Sequence, residues 1–68
     1  MINSISGKIF KKEPTTLYIE NSGIVFSISI CLRDYEKLPS ENESIFIYTY
    51  LNVKENLMEL YGFMDLER

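Results

Sequence analysis

The clearest strand pattern in the chain is Ile24-Val25-Phe26-Ser27-Ile28-Ser29-Ile30-Cys31, where large apolar residues occupy every second position. Because successive side chains of a β-strand point to opposite faces, this period of two predicts a strand with one buried face. One face of this strand carries Ile24, Phe26, Ile28 and Ile30, and the other carries Val25, Ser27, Ser29 and Cys31. An amphipathic helix would instead place its apolar residues three or four positions apart. The stretch therefore predicts a β domain.

Four further strands are predicted around this one, at residues 4–12, 15–20, 44–53 and 57–62. Between the third and fourth strands, Leu32, Tyr35 and Leu38 lie three apart, which predicts a short helical turn. This order of elements is that of the OB-fold, and we therefore predict an all-β, five-stranded OB-fold barrel. The expected core comprises Ile5, Ile9, Leu17, Ile19, Phe26, Ile28, Ile47 and Leu60.

Turn and loop residues separate the predicted strands. Glu20-Asn21-Ser22-Gly23 is a turn signal, residues 39–43 form a polar loop, and residues 54–56 are the tip of a hairpin. Gly7 lies inside the first strand, where a glycine indicates a β-bulge or a close approach of another backbone. The local signals thus agree with the strand assignment.

Composition excludes several kinds of functional site. The chain has 68 residues, one cysteine (Cys31) and no histidine, so an intrachain disulfide is impossible and a zinc site is not expected. Without histidine the usual general base is absent, and no glycine-rich phosphate loop is present. We therefore expect no catalytic residue, no metal and no cofactor. A chain this short is marginally stable alone, which favours oligomerisation.

The sequence also bears on the cellular compartment of the protein and on whether its charge suits nucleic-acid binding. The single thiol, which we expect to be partly buried, suits a reducing compartment. The sequence has neither a signal-peptide pattern nor an apolar run of about 20 residues, so we expect a cytoplasmic protein without membrane contact. The net charge of −3 and the scattered lysines, clustered only around Lys11 and Lys12, do not by themselves predict a nucleic-acid binder.

The two ends of the chain carry a resemblance to a known family. The chain begins Met1-Ile2 with Gly7 close behind and reaches Tyr61-Gly62-Phe63 near its end, with Leu38-Pro39 and Val53-Lys54-Glu55 between them. At this spacing these residues resemble the N-terminal domain of the RuvA family, over essentially the whole chain. We therefore expect one complete OB-fold domain, residues 1–63, from the front of a longer protein. Residues 64–68 would be the start of a truncated helix or a linker.

The resemblance implies a function in DNA recombination and repair. Proteins of this family are non-catalytic subunits that form a homotetramer, recognise four-way (Holliday) junctions and support branch migration by the ATPase RuvB. The resemblance further implies that the junction DNA is bound mainly by helix-hairpin-helix motifs of a second domain. RuvB is contacted through a third domain. Both domains would follow Arg68.

The resemblance also assigns a role to the predicted hairpin tip. In the family this tip carries an acidic pin near the fourfold axis of the tetramer, and Glu55 matches the first acid of that pin. Asn56 stands at the second, commonly acidic position, and Lys54 partly offsets the charge. Without the resemblance, a charged residue at a turn would be read as an ordinary solvated side chain.

Three aromatic residues, Phe46, Tyr48 and Tyr50, share one face of the fourth strand. They could stack on unpaired bases, or they could pack against a neighbouring subunit or domain. The absence of basic residues on this strand before Lys54 favours packing. Two other functions remain open at this point: a stand-alone OB module that binds single-stranded nucleic acid, and a structural adaptor that binds only protein.

Overall fold

The computed structural model describes residues 2–65 and shows a closed five-stranded barrel. The elements are β1 (Ile2–Glu13), β2 (Thr16–Asn21), β3 (Ile24–Ser29), α1 (Leu32–Tyr35), β4 (Ser44–Lys54) and β5 (Leu57–Phe63). Around the barrel the strand order is β1-β2-β3-β5-β4, and only β3 and β5 are parallel neighbours. The predicted all-β OB-fold with a short helical turn between the third and fourth strands is confirmed.

The strand boundaries differ from the prediction by one or two residues, for reasons of pairing. β1 begins by Ile2 rather than at residue 4, because its first residues pair with the far part of β4, starting at Ile2–Tyr50. β3 ends at Ser29, which pairs with Thr16 at the start of β2, and the Ile30 amide beyond it still donates to the Thr15 carbonyl oxygen at 3.1 Å. Cys31 then precedes α1 and is exposed, so the expectation of a partly buried thiol is wrong.

The core is a cluster of aliphatic side chains inside the barrel: Ile9, Leu17, Ile19, Ile28, Ile30, Leu38, Ile45 and Ile47. Five of the predicted core residues belong to it, and the other three, Ile5, Phe26 and Leu60, are half-buried and pack against it. Ile24 shares the alternation of β3 but is 57% exposed, because it lies at the end of the strand beside the turn. Ile24 is not among the predicted core residues, and its exposure agrees with that.

Two glycine positions explain why the strands approach and turn as they do. A Cβ at Gly7 would collide with the carbonyl oxygen of Glu20 on β2, which confirms the predicted close backbone approach. The register shift of β1 lies farther along, between Ile9 and Lys11. At the β2–β3 turn, Ser22 and Gly23 have φ values of 53° and 84°, as the tight turn of a two-residue hairpin requires.

Helix α1 holds the segment that follows β5. Asp34 is fully buried on α1, and its Oδ2 accepts a hydrogen bond from the Met64 amide at 3.4 Å. One turn farther, the Lys37 Nζ lies 3.2 Å from the Asp65 Oδ2. Met64 and Asp65 belong to no helix or strand, and residues 66–68 of the predicted terminal helical turn lie outside the described residues. The direction in which the chain leaves the barrel is therefore set by α1.

Replacing Ile28 with alanine tests the core. Ile28 is fully buried between β2 and β5, so the substitution removes transfer free energy and leaves a cavity. We expect the free energy of unfolding to fall by about 2–5 kcal/mol, measured by urea denaturation of the 68-residue chain. Ile24→Ala on the same strand is the matched control, with an expected loss below about 0.5 kcal/mol. Equal losses for the two variants would contradict the face assignment of β3.

Candidate functional site

The strands β4 and β5 extend beyond the barrel as a two-stranded arm. The described pairing of β4 with β1 ends at Ile2–Tyr50, whereas its pairing with β5 continues to Lys54–Leu57. β5 in turn meets β3 in the ladder only at Ser29–Tyr61 within the described residues. Residues 51–60 therefore form the part that we call the arm. Four residues of β4 lie past Tyr50, which corresponds to a projection of about 13 Å.

The tip of the arm carries the predicted pin residues. Glu55 and Asn56 form the turn, and Lys54 pairs with Leu57 to close it. All three pin residues are exposed, and neither Lys54 nor Glu55 belongs to an ion pair within residues 2–65. The structure thus places one carboxylate, one ammonium group and one neutral amide in solvent at the most projecting end of β4 and β5.

The three predicted aromatic residues lie on the outside of the barrel. Ile45, Ile47 and Thr49 point inward and are buried, so the alternate residues Phe46, Tyr48 and Tyr50 point outward. Phe46 remains 53% exposed, and its ring meets the Tyr48 ring edge to face, with centroids 5.2 Å apart and an interplanar angle of 86°. An edge-to-face pair is a favourable aromatic geometry.

Two further rings extend this surface onto β5. Tyr61 lies directly opposite Tyr50 in the antiparallel ladder, and Phe63 lies opposite Tyr48, so each pair shares the same side of the sheet. We call the resulting set the outer aromatic face: Phe46, Tyr48, Tyr50, Tyr61 and Phe63. A groove of about 550 Å³ runs beside Tyr50, Tyr61 and Phe63, and its wall includes Cys31. The predicted three-residue face is thus part of a larger one.

Comparison with known proteins places the chain in a family. A family profile described as "RuvA N terminal domain" matches residues 1–62. The chain belongs to the RuvA N-terminal domain family. The match spans all five strands except the last residue of β5. The resemblance inferred from the ends of the chain is therefore confirmed.

Curated relatives of this RuvA N-terminal domain carry one name, "Holliday junction branch migration complex subunit RuvA". The protein of Syntrophomonas wolfei is 35% identical over 65 residues, which cover 96% of this chain and 33% of the relative. The protein of Christiangramia forsetii is 38% identical over 65 residues, with the same shares. That of Amoebophilus asiaticus is 37% identical over 67 residues, covering 98% of this chain and 34% of the relative. The chain spans about a third of the length of these relatives.

Sequence reasoning missed Tyr61 and Phe63 as surface residues of this RuvA N-terminal domain. The signal was present, because an antiparallel β5 that follows β4 through a two-residue turn places Tyr61 and Phe63 on the side of Tyr50 and Tyr48. It also missed Asp34, which looks like a solvated residue of a helical turn in the sequence and is fully buried in the structure.

Two further features are absent from residues 2–65. That part of the chain holds no group of three or more His, Cys, Asp or Glu side chains that could bind a metal ion. It also contains no helix with the length and apolar character needed to cross a membrane.

The pKa of the Tyr61 hydroxyl depends on Glu59, which lies two residues earlier on β5. A hydrogen bond to the Glu59 carboxylate, together with partial burial and repulsion from the same carboxylate, raises the pKa of the Tyr61 hydroxyl above the ordinary tyrosine value. A hydrogen bond with Asn52, which lies opposite Glu59 in the ladder, lowers the pKa of Tyr61 and so opposes this effect. At neutral pH the Tyr61 hydroxyl therefore stays protonated beside an acidic neighbour.

Glu59→Gln tests this coupling. The neutral amide cannot repel a tyrosinate, and it no longer offers an anionic acceptor to the hydroxyl, so the pKa of Tyr61 should fall toward the ordinary tyrosine value. The shift is measured by ultraviolet titration of the chain, with the Tyr61→Phe chain subtracted to isolate this tyrosine. Glu43→Gln, in the exposed loop before β4, is the control and should leave the titration unchanged. An unchanged midpoint in Glu59→Gln would contradict the coupling.

Proposed function

We propose that this RuvA N-terminal domain belongs to a DNA-recombination and repair subunit that recognises four-way (Holliday) junctions and supports RuvB-driven branch migration. The proposal rests on family membership and on the name shared by the relatives, each of which is called a subunit of the Holliday junction branch migration complex. The subunit works as a homotetramer in the cytoplasm, needs no cofactor and is not itself catalytic. The ATPase of the complex is its partner RuvB.

Within that subunit, the domain comprises residues 1–63, and residues 64–68 begin the helix or linker that leads onward. The observation that supports this division is the end of β5 at Phe63. Beyond it, Met64 and Asp65 leave the sheet; the Met64 amide donates to Asp34 of α1, and Asp65 pairs with Lys37, which follows α1. The RuvB contact and most junction contacts belong to the rest of the subunit.

The single observation that carries the domain's own role is the projecting arm with Glu55 at its tip. The arm reaches about 13 Å past the barrel and is only two strands wide, so it fits between DNA strands. Glu55, with neighbouring Lys54 and Asn56, forms an acidic pin at the junction centre. Its carboxylate repels phosphates there and opposes collapse of the crossing strands. Asn56 makes this a pin with one acid per subunit.

The outer aromatic face is a packing surface toward a neighbouring subunit or domain. Two observations support packing over base stacking. The charged side chains next to the rings are few, with Lys8 beyond Phe46 at one end and Glu59 beside Tyr61 at the other. OB-folds bind single strands mainly across strands two and three, whereas these rings lie on β4 and β5.

The first test uses the 68-residue chain alone with fluorescent junction, duplex and single-stranded DNA at physiological salt. With a net charge of −3 and no basic stripe, the chain should bind all three with a dissociation constant weaker than about 100 µM, the weak end of non-specific binding. Submicromolar binding of the junction would mean that this domain carries the phosphate contacts. Tight, salt-dependent binding of single strands alone would favour a stand-alone OB module.

The second test concerns Glu55 and uses a chimera in which residues 1–62 replace the matching part of the Christiangramia forsetii relative. A carboxylate and a phosphate 8 Å apart in water repel by about 0.5 kcal/mol before screening. Because this distance is within about one Debye length, salt does not remove the repulsion. Glu55→Gln should tighten junction binding about twofold to tenfold over four subunits, and Glu55→Lys should tighten it further.

Branch migration supplies a second readout for the same variants. Loss of the pin charge should change the rate of RuvB-driven migration, because the strands are held apart less well at the crossover. Glu41→Gln is the matched control, since Glu41 is exposed in the loop before β4, away from the arm. Junction affinity and migration rate are measured over a salt series. If Glu55→Lys alters neither quantity, Glu55 is an ordinary turn residue and the pin assignment fails.

A further inference from the structure

Helix α1 buries a charged residue and exposes an apolar one. Asp34 is fully buried, whereas Leu32, two residues earlier on the same turn, is 56% exposed. Among the described residues, Asp34 is the only buried side chain of a charged type. Burying a carboxyl group costs free energy unless it is hydrogen-bonded, and replacing buried charged groups with apolar residues of similar volume is often neutral or stabilising. The stability of the barrel alone therefore does not explain an aspartate at position 34.

Asp34 contacts the part of the chain that leaves β5. We call Met64 and Asp65, the described residues beyond β5, the exit segment. The Met64 amide donates to the Asp34 Oδ2 in a long hydrogen bond of 3.4 Å, and the half-buried Met64 side chain packs against the core. Met64 belongs to no helix or strand, so the Asp34 side chain supplies its amide with the kind of acceptor that a ladder would otherwise provide.

A second contact with the exit segment lies beside the first. The Lys37 Nζ is 3.2 Å from the Asp65 Oδ2, and the Lys37 amide donates to the Asp34 carbonyl oxygen at 3.0 Å, so the two anchoring side chains come from one turn. The side chains of Lys37 and Asp65 are 49% and 62% exposed. Because an exposed ion pair of this kind contributes little, the buried Asp34 contact is the one expected to hold the exit segment.

Helix α1 is itself fixed to the barrel. Leu38, just after the helix, is buried in the core, and Tyr35 packs against it. From β1, the Lys12 Nζ donates to the Pro39 carbonyl oxygen at 3.1 Å and lies 5.8 Å from the centroid of the Tyr35 ring, a distance at which a cation is attracted to the ring face. Since α1 cannot shift without loss of these contacts, Asp34 relates the exit segment to the barrel as a whole.

We propose that Asp34 is a positioning residue of the junction-binding subunit, which holds the exit segment on α1 and thereby sets the orientation of the rest of the longer protein relative to the arm. The inference rests on the proposed function and deepens it. β5 starts next to the arm tip and ends at the exit segment, about 20 Å away. In the proposed function, the pin meets the crossover while the rest of the subunit binds the surrounding duplexes. A changed exit direction misplaces one against the other, and binding at both places at once is then lost.

The hold of Asp34 on the exit segment is tested by amide hydrogen exchange of the 68-residue chain, followed by NMR. The Met64 amide should exchange at least about tenfold more slowly than an unstructured amide, and exchange at the unstructured rate overturns the inference. Asp34→Ala should remove this protection, whereas Asp34→Asn, which keeps a side-chain oxygen acceptor, should retain most of it. Glu36→Ala is the matched control, since Glu36 is an exposed acid just after α1, and it should change nothing. Equal loss of protection in the β2–β3 ladder of Asp34→Ala would make Asp34 a residue of barrel stability and overturn the inference.

The consequence for DNA is tested in a chimera in which residues 1–68 replace the matching part of the Christiangramia forsetii relative. Asp34→Ala should lower the preference for a four-way junction over duplex DNA about tenfold or more, and Asp34→Asn should restore it. If Asp34→Ala frees the Met64 amide but leaves junction preference and migration rate unchanged, the positioning role is overturned. If the unsubstituted chimera ignores junctions, the proposed function fails, and Met64 exchange in the 68-residue chain alone decides whether Asp34 holds the exit segment.

Discussion

The register of β4 between β1 and β5 sets which side chains enter the barrel and which face outward. Its alternation turns Ile45 and Ile47 into the barrel, and it necessarily turns Phe46 and Tyr48 outward. A slip of one residue against β1 would exchange the two sets, placing rings in a space filled by isoleucine. The core, the outer aromatic face and both sides of the arm are thus consequences of one pairing.

The ladders around the barrel differ in length. Where β4 and β5 pair beyond the ends of the other ladders, they form exposed surfaces. β4 pairs with β1 and β5 over long ladders, whereas β3 and β5 meet only at Ser29–Tyr61 in the described chain. Beyond that point β4 and β5 continue without the other strands. The resulting arm displays on its flank the same kinds of aliphatic side chain that the barrel buries.

The charge distribution indicates a division of labour within the proposed subunit. The chain has a net charge of −3, and its arm ends in an exposed carboxylate without a described ion-pair partner. Such a surface repels phosphates, so attraction to DNA has to come from elsewhere in the longer protein. The proposed contribution of this domain is shape and local repulsion at the crossover.

The strands, their order along the chain and the faces of their side chains could be predicted from the sequence alone, because the period of two is a local property of the backbone. Ile28 and Ile47 were therefore predicted correctly as core, and the ends of the chain identified the family and the hairpin tip. Which part of each alternation is covered depends on contacts between distant segments. Ile24 and Val53 obey the same period as the core residues and are exposed, since Ile24 lies beside the β2–β3 turn and Val53 lies on the arm beyond the barrel. Asp34 is buried because the chain returns over α1 at Met64, thirty residues later, and no local pattern encodes that return.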